Sequence, residues 1–205
     1  MDFNALAQEC GVQHNQIILQ AIVKTESAFN PFAIGVVGGY LERQPKTKEE
    51  AVATALALKA KGINYSTGLS QVNQSNFERF GLNHSTAFDA CPNLKAGATI
   101  YKECLDRAAL KFGLGEQATK AALSCYYSGN FMRGQQKEGG YAPSYVEKVA
   151  SNATSDFTGN SALAIPVVLN RSMKSSTKTK NVESIPGNTV AKESARSSWD
   201  VFGDF

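Results

Sequence analysis

The sequence predicts a mainly α (α+β) chain: a helical core with one small β or irregular element. Two observations carry this. Apolar residues recur at three- and four-residue steps in several separate stretches, while alternating or Gly-rich extended runs are short and confined to the region between 32 and 73. Residues 14–27 open the helical pattern, with Ile17, Ile18, Ala21, Ile22 and Thr25 on one stripe. Asn30-Pro31 closes it, because the residue before a proline is pushed out of the α region. Gly35, Gly38, Gly39 and Tyr40 make 32–46 turn and short extended structure. Thr47 to Glu50 has the capping-box pattern, Val52, Ala55, Leu56 and Leu58 follow at helical spacing, and Gly62 is placed to end that helix. The run GLSQVN at 68–73 alternates after a loop. A helix over 93–110 puts Leu94, Ala98, Tyr101, Leu105 and Ala108 on one face, and one over 116–128 is alanine-rich and therefore closely packed. A last short helix takes in 145–150.

A chain of 205 residues with 42% hydrophobic content holds one folded domain, expected over 1–152. Residues 153–205 turn to Ser, Thr, Lys and Asn, too poor in bulky apolar groups to fold alone, and read as a flexible tail. The tail ends in WDVFGDF, the form of a docking peptide. A formal charge of +3 is too small to argue for nucleic acid, and no apolar run is long enough to span a membrane. The first ten residues lack a basic start and an apolar run, so no signal peptide is visible. Cys10, Cys91, Cys104 and Cys125 contain no CxxC, and with only two histidines no metal site is expected. Two disulfides suit an oxidising compartment; four buried thiols are the alternative.

One acid stands out. Glu26 lies at the end of an apolar helix, between two hydroxyl residues and just before a turn. Burial there raises a carboxyl pKa, and the helix C-terminus disfavours negative charge as well. Both favour a proton donor near neutral pH over an ordinary surface glutamate.

The stretch from Glu26-Ser27 through Phe29-Asn30-Pro31-Phe32-Ala33-Ile34-Gly35 resembles the glutamate motif of the lytic transglycosylases, which cleave bacterial cell-wall glycans. Gly68 to Asn73 is similar to that family's Gly-Leu-Met-Gln-Ile motif, and Ala121 to Asn130 to its Ala-Tyr-Asn-Ala-Gly motif. Tyr145-Val146 resembles its closing Tyr-Val. The four occur in the family's order over residues 10 to 150. The insertion with Gly38-Gly39-Tyr40 and the 47–60 helix, together with FDACPNL at 88–94, looks like the transglycosylase of type IV secretion and conjugation machines. Two departures stand out: Ser70 replaces the usual Met, making a groove wall more polar, and Tyr127 stands where many members have Asn.

The resemblance implies a lysozyme-like fold, peptidoglycan glycan strands as partner, a periplasmic location, no cofactor, and contact with secretion components through the tail. It implies that Glu26 protonates the bond between N-acetylmuramic acid and N-acetylglucosamine, then takes the proton of the C6 hydroxyl as a 1,6-anhydro ring closes. No water is activated, so the two carboxylates of most glycosidases reduce to one. Gln71 would bind the sugar or its acetamido group, Tyr145 would hold Glu26, and Tyr126, Ser70, Asn73 and Ser27 would line the sugar site. With Glu26 and the Ser128-Gly129 end both facing the groove, helix levels put Cys10 with Cys104 and Cys91 with Cys125 as the expected disulfides.

Other readings are weaker. A cysteine nucleophile lacks an oriented histidine partner, and Gly68-Leu69-Ser70 has Val72 where a serine-hydrolase elbow needs glycine. A hydrolytic muramidase on the same fold and a non-catalytic wall-binding assembly factor are the surviving alternatives.

Overall fold

The computed structural model describes residues 2–137 and 141–158, the last four as backbone only. Helix α1 (Phe3–Glu9) starts at Asp2, whose carboxylate accepts from the backbone N–H of Asn4 and Ala5. Helix α2 (Gln16–Ser27) ends three residues before Asn30-Pro31, because Ala28 and Phe29 both take left-handed backbone conformations. Helix α3 (Lys48–Ala60) begins at Thr47, which caps Glu50 N–H as the sequence predicts, and Gly62 follows its end at φ +68°. Helices α4 (Ala90–Phe112) and α5 (Glu116–Ser128) form a hairpin, and α6 (Tyr145–Thr158) closes the bundle.

The β element is a three-stranded antiparallel sheet in the order β1 (Ile34–Val36), β2 (Tyr65–Thr67), β3 (Val72–Asn73). Gly35 pairs with Ser66, and Ser66 with Asn73. Ile34, Tyr65 and Val72 pack with Ala51 and Ala55 of α3 and with Phe77 and Phe88 of the following segment. The main core joins α2, α4, α5 and α6 through Ile18, Ile22, Tyr101, Leu123, Val146 and Val149. A third cluster packs α1 residues Phe3 and Ala7 on the other face of α2, at Leu19 and Val23, together with Leu69 and Leu94. The mainly helical, lysozyme-like expectation holds. Helix α1 was not anticipated, and α6 runs through the boundary expected at 152. Residues 159–205 lie outside the described residues, so the tail reading does too.

The disulfides differ from the expected pairing: they are Cys10–Cys91 and Cys104–Cys125, with Cα separations of 4.9 and 5.7 Å. Cys104 lies eight residues before the end of α4 and Cys125 nine after the start of α5. At ~1.5 Å rise per residue both stand ~12–14 Å from the turn and face each other across the hairpin. Cys10 is also not on the axis of α2: it ends α1, which packs over the first turns of α4 beside Cys91.

No helix among the described residues is long and apolar enough to cross a membrane. No cluster of His, Cys, Asp or Glu there has metal-binding geometry.

Candidate active site

The end of α2, the sheet, the 68–73 loop and the end of α5 enclose a groove of about 470 Å³. Its lining includes Glu26, Gln71, Asn73, Asn76, Tyr126 and Tyr127, and among the described residues Glu26 is its only carboxyl. Burial, the larger influence, raises the Glu26 pKa to about 7 against the lowering effect of a hydrogen bond from Tyr145. The Tyr145 hydroxyl donates to Glu26 Oε1 at 2.7 Å. Tyr145 is the first residue of α6, fixed by a capping box in which Ser144 Oγ accepts from Glu147 N–H and Glu147 Oε2 accepts from Ser144 N–H. The sequence reading placed Tyr145 on Glu26, and the structure brings the two together.

The 68–73 loop is held from beneath by a residue the sequence reading missed. Asn93, buried in the first turn of α4, donates to Thr67 O and Ala87 O and accepts from Ser70 N–H at 2.7 Å. The fit leaves no room at Gly68, where a Cβ would lie 2.4 Å from the Asn93 amide nitrogen, at a backbone φ of +76°. Gly97 is equally confined: a Cβ there would lie 2.4 Å from Ser70. The available sequence signal was an amide within the apolar face of α4.

Ser70 is therefore not a groove wall. It is fully buried against Gly97, and its carbonyl accepts the Tyr126 hydroxyl at 2.6 Å. A small residue fits there because α4 approaches so closely. Ser27 also turns inward, its hydroxyl donating to Leu69 O at 2.8 Å and to Val23 O, so it fastens α2 to the loop and is absent from the groove lining. Gln71 does line the groove, in a left-handed conformation, with its amide nitrogen donating to Ala33 O and Gly68 O. Its Oε1 lies over Gly35, where a Cβ would sit 2.6 Å away, which explains the glycine in β1. Asn73 lines the edge and donates to Asn64 Oδ1 and Ser66 Oγ. Tyr126 reaches the groove with its hydroxyl engaged, and its pKa is pushed well up, first by burial and then by the Glu26 charge.

Among the described residues, three of the four non-glycine residues with positive φ, Ala28, Phe29 and Gln71, flank this groove. Such conformations persist only where surrounding packing imposes them, and they concentrate at functional sites. Here they let α2 stop one residue after Glu26 and turn Gln71 into the groove.

Residues 3–147 match the model of the transglycosylase SLT domain. The type IV secretion system protein virB1 of Brucella abortus biovar 1 (strain 9-941) is 46% identical over 167 residues, covering 81% of this chain and 69% of that protein. The protein of the same name from Brucella suis biovar 1 (strain 1330) has the same identity and coverage. Protein virB1 of Rhizobium radiobacter is 33% identical over 162 residues, covering 75% of this chain and 62% of its own. No solved structure matches. The chain therefore belongs to the transglycosylase SLT family, as a peptidoglycan lytic transglycosylase.

Proposed function

We propose that this enzyme cleaves the β-1,4 bond between N-acetylmuramic acid and N-acetylglucosamine without consuming water, leaving 1,6-anhydromuramic ends. The observation that carries this is the Glu26 carboxyl, the only one in the groove among the described residues, with its pKa near 7. A carboxyl poised there is substantially protonated at neutral pH and can give its proton to the glycosidic oxygen as the bond breaks. The substrate's acetamido oxygen stabilises the positive charge developing at C1. Glu26, now ionised and held by Tyr145, takes the proton of the C6 hydroxyl as that oxygen closes on C1. The proton returns to Glu26, so donor and base are one residue at successive steps. Gln71 and Asn73 supply amide groups along the sugar path, and Tyr126 braces the loop that carries Gln71.

The virB1 names of the Brucella relatives support a place in type IV secretion: opening the wall locally for the apparatus, in the periplasm. In this reading, contact with secretion components falls to the aromatic segment around Trp199, outside the described residues.

The test is digestion of purified peptidoglycan by the wild type and by Glu26→Gln, with mass spectrometry of the released fragments. Anhydro ends, one water lighter than hydrolytic ends, are expected from the wild type alone. Water-bearing ends would assign a muramidase instead, and undiminished cleavage by Glu26→Gln would remove Glu26 from the chemistry.

A further inference from the structure

Tyr127 departs from the family's usual Asn, and its ring lies on that of Tyr145, with centroids 4.7 Å apart and planes 18° from parallel. Tyr145 is 6% exposed while Tyr127 is 44% exposed and lines the groove. Tyr127 is thus the outer layer, between the groove and the tyrosine that holds Glu26. The capping box fixes the backbone of Tyr145, but its ring torsions must be held by what packs on the ring faces. An asparagine at 127 has no ring with which to cover Tyr145.

We propose that Tyr127 is a positioning residue, whose ring clamps Tyr145 so that the Tyr145 hydroxyl stays on Glu26 Oε1. This rests on the reading of Glu26 as proton donor and base. Glu26 has to serve both steps with little movement, and a small misplacement of a catalytic group is costly in rate. The stack restricts Tyr145 to the geometry in which its hydroxyl reaches one carboxylate oxygen, leaving Oε2 for the substrate. The effect of Tyr127 on Glu26 passes through Tyr145.

The experiment measures kcat and KM for release of anhydro fragments from soluble glycan strands. The variants are Tyr127→Ala, Tyr127→Leu, Tyr127→Phe, Tyr145→Phe, the double variant Tyr127→Ala/Tyr145→Phe, and Glu26→Gln. Tyr127→Ala and Tyr127→Leu are expected to lower kcat roughly 10-fold or more, with Tyr127→Phe recovering most of the loss because the ring makes the stack. Once Tyr145 has lost its hydroxyl, Tyr127→Ala should cost less than about 2-fold more, since its effect has no remaining route to Glu26. Losses that multiply in the double variant overturn the proposal. So does a rise in KM alone, which would make Tyr127 only a sugar contact. Leucine at 127 working as well as the aromatic ring has the same force. If Tyr127→Ala melts below the assay temperature, Tyr127→Leu, which keeps the bulk, decides. An active Glu26→Gln would defeat the underlying reading, whereas an inactive one beside a fully active Tyr127→Ala defeats only the clamp.

Discussion

The Tyr145 hydroxyl donates to Glu26 Oε1 at 2.7 Å, joining the first turn of α6 to the last turn of α2 across 119 positions of sequence. The bond stabilises the ionised form of a carboxyl whose burial favours the neutral one. Those opposed influences set the behaviour expected of the site.

Glu26→Gln keeps the shape and removes the proton, so lytic activity should fall roughly 10² to 10⁴-fold with the fold intact. Neither Glu42 nor Asp89 lines the groove; Asp89 is paired with Lys48. Glu42→Gln and Asp89→Asn should therefore stay within a few-fold of wild type in the same assay. Comparable losses at either position would establish a second catalytic carboxyl.

The pH profile follows from the donor role. Activity requires protonated Glu26 in the free enzyme, so kcat/KM should decline as pH rises through about 7. Tyr145→Phe deletes the bond that lowers this pKa, and the alkaline limb should move to higher pH while kcat drops. A limb that stays put or moves down would contradict the assigned influence of Tyr145.

The same shift has a stability consequence that runs in the same direction. The folded pKa of Glu26, about 7, lies above the ordinary 4.5, so the folded state binds the proton more tightly. Stability from this group is complete below pH 4.5 and is lost progressively as pH rises to 7. The loss amounts to ~3–4 kcal/mol above neutrality. Glu26→Gln should therefore unfold later than wild type at pH 8 in denaturant titrations, with the gap shrinking near pH 4.5.

Asn93→Leu should destabilise the domain by ~3 kcal/mol or more, because it strands Ser70 N–H, Thr67 O and Ala87 O without their partner. Since the loop it braces carries Gln71, activity measured well below the melting temperature should fall too. Thermal melting with parallel activity assays reads both effects.

Non-reducing peptide mapping should return the linked pairs Cys10–Cys91 and Cys104–Cys125. Their sequence separations of 81 and 21 make the first bridge the stronger constraint on the unfolded chain. In the chain-entropy model they are worth ~4–5 and ~3 kcal/mol. Losing Cys10–Cys91 should lower the melting temperature more.

The helices of the core were legible in the sequence because each buries one periodic stripe, and the Glu26–Tyr145 meeting because both belong to recognisable motifs. Other features depended on distances that periodicity does not supply. The disulfide expectation compared cysteines with the presumed site, whereas the α4–α5 turn was the nearer reference. Measured from there, Cys104 and Cys125 are level. Cys10 was placed by extending α2 backwards, which fails because a separate helix precedes it. Ser70 and Ser27 look like sugar ligands in a motif, yet both are used inward, where loop and helices touch. Asn93 sits within FDACPNL but had no role assigned there, Gly97 belongs to no motif noted in the sequence, and both show their purpose only once the loop rests on them.

The lining of the groove also bears on how the enzyme meets its polymer. Apart from Glu26 its described residues are amides, hydroxyls, tyrosines and apolar side chains, with no lysine or arginine among them. Its grip on a strand therefore depends on short-range directional contacts that dissolved ions scarcely screen. The protein's net positive charge of +3 acts over longer range, on the approach to an anionic wall. Ionic strength thus bears on how often strand and enzyme meet, and leaves nearly untouched what happens to a strand already threaded past Glu26.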